Sequence, residues 1–157
     1  MTLVAGYLAA RRDEDVARLR RVIALRAMVA SGMSQRQIAA TLGVTQPAVS
    51  QQLKHAPELR QMDPVELLAA ASDTLKSLAA ERGFTKLAVF GSVARGQARR
   101  DSDIDLIVKT PPGTSTFDFI RFKHLVEQVL GREIDLIDYD GLKPGLDDDI
   151  RRDAVLL

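Results

Sequence analysis

The chain has no cysteine, which excludes disulfide bonds and thiolate-bound metals, so its stability and chemistry must come from other side chains. Aromatic residues are scarce, at 4% of 157 positions. Long apolar runs are missing as well: no stretch approaches the roughly 18 residues that cross a bilayer. The mildly apolar start, Met1 to Ala10, has no basic region ahead of it and does not read as a secretory leader. With 46% apolar and 27% charged residues, the remainder is the composition of a soluble globular protein, and a cytoplasmic location is the expectation. Net charge of one sign is nearly absent too, at +1, but the balance is uneven along the chain. Residues 1–62 carry 9 Lys and Arg against 4 Asp and Glu, and residues 63–157 carry 13 against 17. That split predicts two parts with different partners, a basic one suited to nucleic acid and an acidic one compatible with bound cations.

The densest chemistry lies in Gly91-Ser92-Val93-Ala94-Arg95-Gly96-Gln97-Ala98-Arg99-Arg100-Asp101-Ser102-Asp103-Ile104-Asp105. An apolar run, Leu87 to Phe90, precedes it and another, Leu106 to Val108, follows, so the pattern predicts strand, turn, short helix and strand. On a strand, positions i and i+2 share a face, which lets Asp103 and Asp105 converge while Ile104 turns to the core. Paired carboxylates of this kind suit Mg²⁺, which bridges protein carboxylates to nucleotide phosphates. Gly91 allows close backbone approach to a phosphate, and the Ser92 hydroxyl adds a donor at the turn. Further on, Glu133-Ile134-Asp135-Leu136-Ile137-Asp138 alternates as a strand, with Glu133 and Asp135 on one face. Asp135 is favoured as a third acid, with Glu133 its rival. Three carboxylates would hold two metal ions and clamp the attacking and leaving oxygens of a phosphoryl transfer.

Gly91, Ser92, Asp103, Asp105 and Asp135 resemble, position by position, the pattern of the DNA polymerase β nucleotidyltransferase superfamily, and Ala94-Arg95-Gly96 resembles its minimal prokaryotic members. The resemblance covers about residues 84–157. It implies an α+β fold with a mixed sheet, a nucleoside triphosphate substrate such as ATP, and two Mg²⁺ ions held by Asp103, Asp105 and Asp135. Gly91 and Ser92 would hold the phosphates. Arg95 either touches the triphosphate or is a solvated surface residue.

A second pattern occupies the basic part. Asp13 to Ala30 shows helical spacing of Val16, Leu19, Val22, Ile23, Met28 and Val29, closed by Gly32. Ser34 and Gln37 form a predicted capping box for a helix ending at Leu42. After Gly43, Thr45 caps a further helix from Gln46 to about His55, with Pro47 in its first turn. Residues 35–53 resemble a phage-repressor-type helix-turn-helix. Ala39 is small where the helices cross, and Ile38, Leu42, Val44, Val49 and Leu53 are its expected core. The resemblance implies that Gln46 and Gln51 face base edges, and that Gln35, Arg36, Ser50 and Lys54 face phosphates. Protein docking or dimerisation is the other use of such a unit.

The chain therefore divides, as read, into a helix-turn-helix unit at 1–56, a connector at 57–63 and a nucleotidyltransferase unit at 64–157. The second unit is expected to begin with a helix capped by Asp63-Pro64 and running from Val65 to Arg82. A later amphipathic helix, Thr116 to Leu130, should turn Phe119, Phe122, Leu125, Val126 and Val129 inward, with His124 on the surface. Asp147, Asp148 and Asp149 should charge a helix N-terminus, and the apolar close Ala154 to Leu157 should add a strand or meet a partner.

Minimal nucleotidyltransferases of this kind often act as antitoxins, transferring AMP to a tyrosine of a ribonuclease toxin of the HEPN class. The resemblance thus implies a toxin protein as partner, operator DNA as a second one, and a homodimer or hetero-oligomer. Two alternatives stand beside it: a transcriptional regulator with a non-catalytic nucleotidyltransferase fold, and a toxin adding nucleotides to tRNA. The acidic C-terminal part argues against a tRNA-gripping surface.

Overall fold

A computed structural model describes residues 2–55 and 58–157, and the chain forms two compact units, Met1–Pro57 and Glu58–Leu157. The first is all helical. Helix α1 spans Leu3–Ala30, starting ten residues before the expected Asp13. Thr2 caps it by accepting a hydrogen bond from the Ala5 amide at 3.0 Å, and the Ala- and Leu-rich stretch behind it has high intrinsic helix propensity, which no apolar periodicity was needed to support. Only its second half is buried, at Leu19, Val22, Ile23, Leu25 and Ala27. Val16 and Val29, expected inward, are exposed.

Helix α2, Gln35–Leu42, carries the capping box in full: Ser34 Oγ accepts from the Gln37 amide, and Gln37 Oε1 accepts from the Ser34 amide. Gly43 ends it at φ 71°, in the left-handed region that a side chain would resist. Thr45 then caps α3, Gln46–Lys54, with Pro47 in the first turn, where its missing N–H has no helical partner to lose. The shared core is small: Leu25, Ile38, Ala39 and Val49, with Met28, Met33 and Leu53 packed around it. Leu42 and Val44 were expected in this core but are exposed, because the turn carries them past its edge.

The second compact unit starts at Glu58. Of the connector at 57–63, Pro57 lies outside the described residues, as does Ala56 at the end of the first expected domain. Leu59–Gln61 form a 3-10 turn whose Leu59 is buried. Helix α4 spans Pro64–Ala80, with the Asp63 carboxylate accepting from the Val65 amide at 2.8 Å. Strands β1 (Thr85–Phe90), β2 (Ile104–Lys109), β3 (Ile134–Asp138) and β4 (Val155–Leu156) form one mixed sheet in the order β3-β2-β1-β4. The pairs β1–β2 and β1–β4 are antiparallel and β2–β3 is parallel. A parallel pair needs a long crossover, supplied by α6, Thr116–Leu130.

Helix α4 packs on β1 and α6 on β3, and the two helices touch, so both cover one face of the sheet. Leu67, Leu68, Ala71, Leu75 and Leu78 come from α4, and Phe122, Leu125, Val126, Val129 and Leu130 from α6. Phe119 is only half-buried, at the rim. Two shorter helices, α5 (Gly91–Ala94) and α7 (Asp148–Asp153), contact each other at the other end of the fold from the β2–α6 turn. Asp148 and Asp149 occupy the first turn of α7, while the Asp147 carboxylate accepts from the Lys143 amide. The chain closes with β4 on β1, where the Leu157 amide reaches the Leu87 carbonyl at 3.1 Å.

Phe122 is 1% exposed and meets the Phe84 ring edge to face at 4.8 Å. Phe122→Ala should therefore cost about 3–5 kcal/mol through lost burial, the cavity left and the broken aromatic pair. Urea unfolding followed by near-ultraviolet circular dichroism reads this directly, and a loss below about 1 kcal/mol would contradict the packing described.

Candidate active site

Strand register assembles the site. The ladder sets Phe90, the last residue of β1, opposite Asp105 of β2, and Asp105 in turn beside Asp135 of β3. Ile104 and Leu106 are buried on one face, so the intervening Asp105 points to the other. Gly91, next after Phe90, thus arrives against the Asp105 carboxylate. Its φ is 72°, and a Cβ placed there would collide with Asp105 Oδ2 and lie 3.1 Å from Cγ. Both the left-handed conformation and the close approach require glycine at this one position.

Behind Gly91 the chain makes the single turn of α5, with the Arg95 amide donating to the Gly91 carbonyl at 3.1 Å and the Gln97 amide to the Ser92 carbonyl at 2.9 Å. Ser92 is half-buried in this turn. Arg95 is exposed, and its Nη1 pairs with Asp153 Oδ2 of α7 at 3.2 Å. Its charge also acts on Asp105, favouring the carboxylate. The short helix and the C-terminal helix are therefore joined beside the acids.

Asp105 is the electrostatic centre of the site. Its carboxyl is pushed up to about 6, first by burial, then by a hydrogen bond with Asp135, by the negative charge of Asp135 and by that of Asp103. That bond is made while Asp105 keeps its proton, which it gives up as pH rises through about 6. Asp135 is exposed at the edge strand, and Glu133, on the same side, precedes β3. The ladder partner of Asp105 is Asp135 and not Glu133.

Asp103 differs from its expected placement. It precedes β2, whose first residue is Ile104, so the ladder does not constrain its exposed side chain. Asp103 reaches Asp105 as a through-space charge, and among the described residues no group of three His, Asp or Glu side chains is arranged to hold a metal ion. The expected cluster of three is thus a ladder pair, Asp105 and Asp135, with a third acid beside it. Its donors are all carboxylate oxygens, the set that suits a hard divalent cation, and a cation between Asp105 and Asp135 would offset the repulsion of their charges.

Three contacts around the site had no signal in local sequence pattern. Glu127 Oε2 accepts from the Ile134 amide at 3.1 Å and holds the start of β3. Asp153 pairs with Arg95. Arg132, the single buried charged residue among those described, donates to carbonyls of the segment ahead of Asp103. The last two join positions 30 or more residues apart and the first crosses from α6 to β3, which periodicity and capping rules do not reach.

The nucleic-acid candidates lie in the first unit. Arg36, Gln46, Gln51 and Lys54 are exposed, and Gln35 and Ser50 are half-buried. Gln46 Nε2 donates to Gln35 Oε1 at 2.7 Å, which links the first turns of α2 and α3. Gln46, Ser50 and Lys54 recur at intervals of four along α3, on one stripe of the helix beside the buried Val49.

The comparisons with known proteins agree with the second unit. Residues 71–157 match the family model described as nucleotidyltransferase domain, and the chain belongs to that family. It is 39% identical over 75 residues to a protein of Methanocaldococcus jannaschii carrying the provisional name protein adenylyltransferase, covering 48% of this chain and 81% of that one. It is 35% identical over 80 residues to the protein adenylyltransferase MntA of Thermococcus cleftensis, covering 51% and 81%. A solved structure described, again provisionally, as a minimal nucleotidyltransferase is 42% identical, with a TM-score of 0.56, and spans 61% of this chain and 97% of its own. The protein is a nucleotidyltransferase, a family that uses nucleoside triphosphates and typically a divalent metal. No helix among the described residues is long and apolar enough to cross a membrane.

The raised Asp105 carboxyl has a measurable consequence. Because its folded value, about 6, lies above the ordinary 3.8, the neutral form contributes stability below 3.8 that is lost as pH rises through 6. Metal-free protein should melt lower at pH 7.5 than at pH 5. Asp105→Asn should melt above wild type at pH 7.5, with the gap narrowing toward pH 5; differential scanning calorimetry showing equal melting of the two proteins at pH 7.5 would refute the electrostatic picture.

Proposed function

We propose that the second unit, 64–157, transfers a nucleoside monophosphate, AMP from ATP, to a hydroxyl of a partner protein. The observation that carries this reading is the register that sets Asp105 between the Gly91 turn and Asp135, crowding carboxyl groups whose mutual repulsion a cation would relieve. The relatives named protein adenylyltransferases support AMP and a protein acceptor.

In this reading Asp103, Asp105 and Asp135 hold Mg²⁺, and Gly91 and Ser92 receive the triphosphate on the backbone of the turn and the serine hydroxyl. Bound there, the divalent ions supply positive charge to the phosphates and to the acceptor oxygen. Arg95, whose charge already acts on Asp105, meets the triphosphate with its guanidinium. The acceptor hydroxyl attacks the α-phosphorus, the bond to the bridging oxygen breaks, and pyrophosphate leaves with that electron pair. Asp135, exposed at the sheet edge, would hold the ion that activates the acceptor hydroxyl, or remove its proton.

The first unit, 1–56, acts in this reading as a helix-turn-helix that binds operator DNA, joined to the enzyme through 57–63. Its support is the three-residue turn Gly43 to Thr45 between two capped helices and the line of polar side chains along α3. Gln46, braced by Gln35, and Gln51 face base edges, while Arg36, Ser50 and Lys54 meet phosphates. Together the two activities describe a cytoplasmic antitoxin that adenylylates a HEPN-class toxin and represses its own operon.

Incubation with α-phosphate-labelled ATP, Mg²⁺ and host lysate should label a species destroyed by protease and resistant to ribonuclease. Asp103→Ala with Asp105→Ala should reduce that label at least about a thousandfold, the scale expected when charge stabilisation at the reacting phosphate is removed. Label sensitive to ribonuclease instead would move the acceptor to RNA. In gel shifts with the upstream DNA, Gln46→Ala should cost about 1–3 kcal/mol for the preferred site and relax base preference there, whereas Lys54→Ala should weaken all sequences alike. Equal binding of every duplex by the wild type would leave the unit as a docking module.

A further inference from the structure

We infer that Arg132 is a positioning residue that sets the first acid, Asp103, against the strand carrying the third, Asp135. Arg132 is 9% exposed and has no carboxylate among its hydrogen-bond partners. Nη2 donates both its hydrogens to one short segment, to the Arg100 carbonyl at 3.1 Å and the Ser102 carbonyl at 2.7 Å. Nη1 donates to the Met62 carbonyl at 3.0 Å, where the chain approaches α4. A buried guanidinium is costly unless oriented dipoles replace its water, and here three backbone carbonyls do so.

The target of the clamp is informative. The carbonyl of Ser102 belongs to the peptide group whose nitrogen is that of Asp103, so the 2.7 Å bond orients the plane from which Asp103 projects. The segment is also closed on itself, with the Arg99 amide donating to Ser102 Oγ at 2.7 Å and the Ser102 amide to the Arg99 carbonyl at 3.0 Å. Asp103 stands between this clamped turn and Ile104, the first residue of the ladder. Nothing else described anchors it from the N-terminal side.

Arg132 sits where one residue can serve both acids. The parallel register Ile104 with Ile134 and Asp105 with Asp135, continued outward by two positions, brings Ser102 beside Arg132. The side chain thus extends the β2–β3 pairing beyond the last ladder bond and sets the spacing of Asp103 relative to Asp135, three residues downstream of the arginine. Lysine cannot reproduce this, since its single ammonium lacks the planar fork that reaches Met62 and the loop together.

This inference rests on the proposed use of the acids as cation ligands, and its test separates the two. Arg132→Lys in the full chain should accelerate amide hydrogen exchange across residues 100–103 at least about tenfold. It should also raise the concentration of Mn²⁺, added as the sole metal, for half-saturation by about tenfold, the scale seen when residues supporting metal ligands are removed. The transfer rate should fall with little change in KM for ATP. Leu78→Ala, a core truncation on α4, is the control for general destabilisation and should leave exchange at 100–103 and Mn²⁺ affinity as in wild type. Unchanged exchange in Arg132→Lys, or unchanged Mn²⁺ affinity in a wild type that binds the ion, overturns the positioning role. A wild type that neither binds Mn²⁺ nor transfers label overturns the transferase reading, and hydrogen exchange still decides whether Arg132 holds the Asp103 loop.

Discussion

Two carboxyl groups set side by side on adjacent parallel strands, Asp105 and Asp135, are the constraint on which the second unit depends. Like charges at that spacing oppose ionisation, and partial burial of Asp105 adds to the cost, so its carboxyl is pushed up to about 6. A sequence does not keep such a pair for stability. The fold tolerates it because stability is drawn from elsewhere, from α4 and α6 packed on one face of the sheet through Leu67, Leu75, Phe122, Val126 and Val129, each at most 1% exposed. The acids occupy the other side of the strands, where their electrostatic strain leaves that core intact.

The same register explains the rest of the site. A parallel β2–β3 pair needs the α6 crossover, and the crossover delivers Arg132 and Glu127 to the entrance of β3, where one clamps the Asp103 segment and the other holds the Ile134 amide. The antiparallel β1–β2 pair brings the Gly91 turn onto Asp105, and α7 meets α5 through Asp153 and Arg95. The Gly91 turn, the acids and the residues that support them therefore come from separate stretches of chain but answer to one sheet.

The first unit is organised by different physics. Its core is small, and its definition comes from local chemistry: Thr2, Ser34 and Thr45 each accept from an amide in the first helical turn, and Gly43 closes α2 in a conformation other residues resist. Such signals act within a few residues, which is why α2 and α3 were legible from Ser34, Gln37, Gly43 and Thr45 alone. Where burial was the question, pattern was less informative. Val16, Val29, Leu42 and Val44 fit an apolar spacing yet lie exposed, because a core this small runs out of area before the pattern runs out of residues.

From its sequence alone this protein was determined to have two parts of opposite charge, capped helices in the first, and a Gly-Ser turn and Asp-x-Asp pair in the second. Those features depend on periodicity, caps and turn residues, all of which operate at short range along the chain. Tertiary structure decided that Asp135 rather than Glu133 is the ladder neighbour of Asp105, that Asp103 stands just outside β2, and that Arg95 is paired with Asp153. It also decided that Arg132 turns inward to meet three carbonyls, one of them 70 residues away. Each of these is a matter of strand register and long-range hydrogen bonding, fixed only when segments distant in sequence are brought together by burying a common core.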